Sequence, residues 1–202
     1  MKKVLLVIPI LMMMFSCNKQ QMSLTRSGYT VVEEVIDHSP IYIEKEENSE
    51  KAKLNDTNRV GGTNYIFNVE RELNLKEVVE IAQKIKNKKY AEDNMHRDDK
   101  EVFFSYADTL HKNLAFFPFQ DITYQFEKPT TKENLLYLNA SKDLFYNDKP
   151  IKREELKELF ADKEKVQLGF SFSLDFEPYL QLHILLSQLG LNDKINKVDL
   201  IY

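Results

Sequence analysis

Val166, Leu168, Phe170, Phe172 and Leu174 alternate with Gln167, Gly169, Ser171 and Ser173. This period of two predicts a strand across residues 166–174 with one buried face. Asp175 follows at a helix-capping position, Pro178 is tolerated in a first turn, and Gly190 supplies a stop. Tyr179, Leu182, Leu186 and Leu189 share the helix face between them, and residues 197–201 read as a closing strand. Upstream, Leu136 and Leu138 mark one strand and residues 144–146 another, with a tight turn at 141–143. Pro150 precedes a short helix over about residues 152–160, with Leu156, Leu159 and Phe160 facing inward. The last third therefore reads β-β-α-β-α-β, the order of a small two-layer α+β sandwich.

The earlier chain is less regular. Residues 29–36 predict a strand in which Val31 and Val35 share a face that Glu33 interrupts, and residues 41–43 predict another. Residues 44–59 are charged and read as a loop. Tyr65, Phe67 and Val69 then alternate over residues 64–69. Asn74 with Glu77 resembles a capping box, followed by an apolar stripe of Leu75, Val78, Val79, Ala82 and Ile85. Lys84, Lys86, Lys88 and Lys89 load that helix's end, where cations are favoured. Residues 90–100 read as a polar loop, 101–106 as a strand, 115–119 as an aromatic turn and 122–126 as a strand. The expected class is α+β, with a β-rich N-terminal part carrying one amphipathic helix. No residue-level repeat relates the two halves. Pro129 and the threonines around it mark the main internal boundary, giving an N-terminal region at 29–128 and a C-terminal region at 129–202.

The start of the chain carries an address. Lys2 and Lys3 precede an apolar run at residues 4–15, which is 12 residues long and broken only by Pro9. As a helix it spans about 18 Å, whereas a bilayer core needs about 20 residues. It suits the apolar region of a cleavable signal. Met14-Phe15-Ser16-Cys17 resembles a lipobox, although Phe15 is bulkier than usual there. Residues 1–16 are then a lipoprotein signal peptide cut after Ser16, and residues 17–28 a tether. Cys17, the single cysteine, carries diacylglycerol through its thiol and a fatty acid such as palmitate on its new amino terminus. A second chain matters because one acyl chain anchors only marginally. Without residues 1–16 the chain keeps 26 basic residues against 32 acidic, a formal charge of −6. That balance argues against nucleic acid and against a polybasic grip on lipid. Attachment should come from the anchor, on a cell membrane and facing the periplasm or exterior.

The stretch from Leu135 to Tyr202 resembles the periplasmic domain of the ExbD/TolR family. The carrying residues are Tyr137-Leu138-Asn139, Phe145, Asn147 and Ile151, and the helix with Leu156. They continue with the strand through Phe172, Pro178-Tyr179, Leu189-Gly190 and Val198-Asp199-Leu200-Ile201. The resemblance implies a periplasmic recognition module that pairs with itself or with another envelope protein. It does not extend to proton coupling. The family's transmembrane helix with its essential aspartate has no counterpart in the acid-free run at residues 4–15, and Phe172-Ser173-Leu174 stands in place of the usual Arg-Ala-Asp.

Candidate chemistry is sparse. Asp37-His38 reads as a polar loop pair, and His96 among Asp93, Arg97, Asp98 and Asp99 as a solvated loop. His183, between Leu182 and Ile184, reads as a boundary residue, and His111 stands alone. There is no His-Glu-x-x-His, no Gly-x-Ser-x-Gly, and Gly61-Gly62 is too poor in glycine for a phosphate loop. No catalytic set, metal site or resident cofactor is expected. Phe103, Phe116, Phe117 and Phe119, with Tyr202 on the terminal strand, are the candidate partner-binding residues, unless the phenylalanines are core. Three classes stay open: an envelope binding or assembly module, a structural spacer or subunit, and an envelope hydrolase. The first expectation to test is lipidation. Cys17→Ala should leave the protein uncleaved or released from membranes, and labelled fatty acid should enter only the wild-type chain.

Overall fold

The computed structural model describes residues 22–91, 100–163 and 165–202. The fold mixes α and β, as expected at the level of class, with two mixed sheets and three helices among the described residues. The first sheet holds β1 (Arg26–Ser27), β2 (His38–Lys45), β3 (Ala52–Asn55), β4 (Asn64–Val69), β5 (Val102–Asp108) and β6 (Asn113–Pro118). Its order is β6-β5-β4-β2-β3, with β1 pairing the end of β5 beyond β4. Helix α1 (Leu75–Lys89) links β4 to β5. The second sheet holds β7 (Thr123–Gln125), β8 (Leu135–Leu138), β9 (Leu144–Tyr146), β10 (Lys149–Ile151), β11 (Val166–Phe170) and β12 (Ile195–Ile201), in the order β10-β9-β8-β11-β12-β7. A 3₁₀ turn and the single-turn α2 (Leu156–Leu159) precede β11, and α3 (Phe176–Gln188) links β11 to β12. The boundary residues 127–133 thus lie between two strands of one sheet, β7 and β8.

The two halves repeat one topology. In each, a hairpin (β2-β3 or β8-β9) is followed by a strand parallel to the hairpin's first member, a helix, and a further parallel strand. Each half also places its earliest strand, β1 or β7, parallel to the strand that follows its long helix, β5 or β12. From β4 into α1 and from β11 into α3, positions correspond at an offset of 101 residues, while β2 and β8 correspond at 95. The Glu70 amide donates to Ile43 O at 3.0 Å, as the Ser171 amide does to Leu138 O at 3.0 Å. The Leu73 amide donates to Glu70 O at 3.2 Å, and the Leu174 amide to Ser171 O at 3.0 Å. Side chains at equivalent places differ, Tyr65 against Val166 and Phe67 against Leu168, which is why the sequence shows no repeat. The strands need only an apolar residue at alternate positions.

The halves meet where their helices start. The Leu75 amide donates to Leu174 O at 2.8 Å and the Phe176 amide to Leu73 O at 2.8 Å, a reciprocal bridge centred on Asn74 and Asp175. The Glu177 amide adds a bond to Arg71 O at 3.0 Å. First-turn amides have no intrahelical acceptor, and here each half supplies the other's. Asn74 also accepts from the Glu77 amide at 3.3 Å. The reciprocal half of the expected capping box is diverted, because Glu77 Oε2 accepts from the Ala52 amide at 2.7 Å. Asp175 occupies its capping position without a side-chain cap bond. One continuous core joins the inner faces of both sheets and both long helices, including Ile41, Phe67, Phe104, Val79, Leu136, Phe170, Tyr179 and Leu186.

Several local expectations are corrected. Residues 29–36 form a strap, not a strand. Only Val32 bridges, to Phe116, and Val35 covers Ile66, Phe103 and Phe116 on the outer face of the first sheet. The charged stretch 44–59 contains β3, which pairs with β2 through Leu54 opposite Ile43. The aromatic turn at 115–119 is mostly β6, paired along β5. The alternation at 166–174 breaks after Phe170, where the chain turns into the inter-half bridge. Leu174 stays buried but Phe172 is left 58% exposed. The expected helix over 152–160 starts as a 3₁₀ turn after the short β10. Gly190 closes α3 as expected, at φ +70°, with the Leu191 amide on Leu186 O at 2.9 Å.

Phe170 touches both Tyr179 and the His183 ring at the centre of this core. Phe170→Ala should cost about 3–5 kcal/mol. Because the core is continuous, spectroscopic probes in either half should report the same shifted melting transition. A loss confined to residues beyond 129 would contradict a shared core.

Candidate functional site

Tyr179 and His183 stand one turn apart on the buried face of α3, the spacing that aims two side chains at one partner. That partner is Asp199 of β12, itself 1% exposed. Tyr179 donates its hydroxyl to Asp199 Oδ2 at 2.9 Å, and His183 Nε2 lies 2.8 Å from the same oxygen. Tyr124 of β7 lies 3.2 Å from the Tyr179 hydroxyl, and since the Tyr179 proton is committed to Asp199, Tyr124 is the donor. Asp199 Oδ1 has no hydrogen-bond partner among the described residues. Burial, reinforced by the Asp199 charge, pushes both tyrosine hydroxyls well above their ordinary range. The His183 ring is packed by Phe117, Phe170 and Tyr179, whose centroids lie 5.3, 5.9 and 4.8 Å away.

Lys86 of α1 reaches this region from the other half. Its ammonium donates to Ile122 O, and the side chain is 3% exposed. Desolvation lowers its pKa to about 8, partly offset by the charges of Asp121 and Asp199. Lys89 is buried too, with Nζ donating to Thr63 O at 2.8 Å and sitting over the Tyr65 ring. The lysines at the end of α1 are therefore not all at the surface. Two of them run inward, because the strands flanking the helix end offer carbonyls and ring faces.

A cleft of about 240 Å³ opens beside this network. Phe117 and Ile195 give it apolar walls, and His183 lines it with Ser187 of α3. The loop after β6 contributes Gln120 and Asp121, and the turn before β12 contributes Asn192 and Asp193. Next to it β12 carries a bulge, since Val166 and Leu168 face Ile195 and Asp199. Gln167 fills the bulge by donating Nε2 to Val198 O and accepting from Asn196 Nδ2 at 3.1 Å.

Sequence-derived candidates fare unevenly. Phe103, Phe116, Phe117 and Phe119 do not form an exposed patch. All are buried, Phe103 and Phe116 under the strap and the other two in the main core, with Phe119 stacked on Phe104 at 3.9 Å. Aromatic bulk went to the core because β6 is a paired strand with two covered faces. Only Phe117 also reaches the cleft. Tyr202 is half-buried, its ring 5.1 Å from that of Tyr137. Between them lies Gly169, where a Cβ would crowd Leu135 and Tyr137 side-chain atoms at 3.1 Å and make them shift. Ser16, Cys17 and His96 lie outside the described residues. Asp37 and His38 do not act together, because Asp37 pairs with Lys100 at 3.0 Å and His38 Nδ1 with Val35 O at 2.8 Å. His111 is half-exposed and bonds Asp108 at 2.8 Å. Thr30 and that histidine hold the Asp108 carboxyl well below the usual range and pin the strap to the β5–β6 hairpin. His183 is corrected from boundary to core. The one sequence signal was Asp199, an acid between Val198 and Leu200 in an apolar strand.

Among the described residues no group of three or more metal-ligating side chains converges, and no helix is long and apolar enough to cross a membrane. Compared with protein-family models, with curated proteins and with solved structures, the chain matches none.

The Lys86 shift gives a signed pH dependence. Its folded pKa lies below the unfolded value of 10.5, so the unfolded chain binds the extra proton between about pH 8 and 10.5. Stability from this group therefore rises with pH across that window. Relative to Lys86→Met, the wild type should gain roughly 1–3 kcal/mol between pH 8 and 10 in urea unfolding. Parallel pH curves for the two proteins would place the ammonium in solvent.

Proposed function

We propose that this protein is a lipid-anchored module of the bacterial cell envelope that binds or assembles and does not catalyse. In this reading Cys17 carries the anchor, and residues 129–202 form a two-layer α+β unit of the ExbD/TolR kind, without the proton-coupling helix, in which the short β10 adds a third strand before the first helix of the expected β-β-α-β-α-β order. The observation that carries it is the relation between the chain's entry point and the cleft. The chain enters beside the first turns of α3, where the Arg26 amide donates to Glu177 at 3.3 Å and Gln181 Nε2 to Arg26 O at 3.0 Å. The cleft sits against the far half of the same helix, at His183 and Ser187. From Glu177 to Ser187 is about 15 Å along the axis. Residues 23 and 25 are already tied down, with Ser23 O accepting from the Arg71 amide at 2.9 Å and Thr25 O from the Ala107 amide at 2.8 Å, so the span from Cys17 to Met22 reaches at most about 18 Å. A tether of that reach would let an anchored molecule hold the cleft away from the lipid surface.

Two features favour binding over hydrolysis. Acyl transfer needs a nucleophile bonded to the imidazole, and among the described residues the His183 imidazole is hydrogen-bonded to Asp199 alone. The nearby Ser187 hydroxyl is engaged with His183 O and Asn192. The two like halves of one chain already complete each other's helix starts, as two copies of a half would. That favours an envelope protein of another kind over a homodimer. The same pairing also suits a structural subunit of a larger complex. A photo-crosslinking residue at Asn192 should capture an envelope protein in living cells, and the capture should weaken when Cys17→Ala releases the chain. No adduct from membrane-retained protein would overturn the reading.

A further inference from the structure

We infer that the turn joining β5 to β6 rests in the headgroup layer of the lipid surface to which Cys17 is tied, and so fixes how the molecule stands on its membrane. The inference depends on the lipid-anchor reading above and adds the surface that meets the lipid. The turn presents a run of exposed residues, 109–114, with Leu110 68% and Leu114 47% exposed. Leu114 lies opposite Ala107, past the reach of the strap, whereas Phe116 two residues on is covered by Val32 and Val35. Two bare leucines in one turn are a patch, not the single scattered side chain that needs no explanation.

The polar groups of the turn suit an interface. The Thr109 amide donates to Ser27 O at 2.8 Å, and the Leu110 and His111 amides donate to Asp108 Oδ1 at 2.9 and 3.0 Å. Exposed amides can rely on water, but these three are paired within the protein, as a layer poor in water demands. Thr30 and His111 Nδ1 hold the other Asp108 oxygen, so the turn is also braced from the strap. Residues 109–114 include no acid, and Asp108 before them is 1% exposed. Lys112 has a stem long enough to keep its ammonium among phosphate groups while the leucines sit deeper.

The entry of the chain puts the lipid at this end. β2, β4 and β5 run parallel, so the turns after β2 and β5 lie at one end of the first sheet. Residues 25–27 run beside 107–109 at that end, with Thr25 O and Ser27 O accepting from the Ala107 and Thr109 amides. Only about 18 Å of chain separates Cys17 from Met22. The turn after β2 carries Glu46, Glu47 and Glu50. Burying those charges in lipid is unfavourable, so the contact falls on the β5–β6 side. Pro118, at the other end of β6, lines the cleft. It stands roughly 16 Å along the strand from Asn113, so the cleft faces away from the lipid.

The chain contains no tryptophan, so Asn113→Trp places a single reporter in the turn and Asn192→Trp a control beside the cleft. Each full-length protein is purified from membranes and reconstituted into vesicles of phosphatidylethanolamine and phosphatidylglycerol. Emission at position 113 should shift to shorter wavelength. It should be quenched more by lipids brominated near the headgroup than by lipids brominated near the chain ends. Emission at position 192 should do neither. Leu110→Asp with Leu114→Asp, added to the reporter, should abolish the shift and the quenching. Both leucines are exposed, so an unchanged melting curve separates lost contact from lost fold, and a Leu110→Ser, Leu114→Ser pair repeats the test without added charge. No quenching at position 113, equal quenching at both positions, or quenching that survives both leucine pairs would overturn the inference. A photo-crosslinker at Leu114 that captures a protein in cells, with no quenching in vesicles, would assign the turn to a protein partner instead. If mass spectrometry finds Cys17 unmodified, the anchor reading falls, and coupling that thiol to a maleimide-bearing lipid still decides whether the turn enters the headgroups. If the chain is acylated and the Asn192 crosslink forms while position 113 stays unquenched, the binding module stands and the turn's role falls.

Discussion

Two backbone hydrogen bonds decide how this molecule is put together. Leu75 donates to Leu174 O and Phe176 donates to Leu73 O, so the first turn of each long helix is completed by the other half. A helix start buried without acceptors is unfavourable, and neither half can satisfy its own at this point. The bridge also sets the relation between the sheets. With it in place, the apolar faces of both sheets and both helices close over a single core. Each half further lends its earliest strand to its neighbour. β1 packs on α3 and β7 on α1, so the contact between halves extends beyond the bridge.

The polar network follows from that closure. Asp199 lies on β12, where bulk water cannot reach it, and its charge must be answered by side chains. Tyr179 and His183 come from the helix of the same half, and Tyr124 from the strand beside β12. Lys86 arrives from the opposite half and closes on the loop that precedes β7. The cleft forms because that loop and the turn before β12 cannot be filled by the alternating side chains of either sheet. Its polar rim is made of loop residues, which is where chemistry usually collects when rigid elements fix the frame.

The departures from the sequence reading share one cause. Local periodicity reports which residues want burial and leaves open what covers them. For Phe116 and Phe117 the sequence left core and exposed patch both open, because successive aromatics break the period of two. In β6 they point to opposite faces, one under the strap and one into the core. Phe172 fits the alternation of β11, yet it is exposed because the chain must turn at Ser171 to reach the inter-half bridge. The repeat was invisible for a related reason. The topology asks only for burial at its core positions and not for identity, and at the bridge only Leu73 and Leu174 are the same residue.

What the sequence determined by itself was the set of strongly patterned elements. Alternation located β4, β5 and most of β11, and the helical stripe located α1 with its Asn74 cap. Gly190 marked the end of α3, because a backbone at φ +70° favours a residue without Cβ. These are short-range effects, in which each residue's preference depends on neighbours a few positions away. The tertiary structure alone decided the reciprocal capping, the burial of Lys86 and Lys89, the turning of Phe172 outward and the convergence of Tyr124, Tyr179, His183 and Asp199. Those depend on groups up to about a hundred positions apart. No local pattern encodes which distant carbonyl will meet a free amide, or which distant acid a buried histidine.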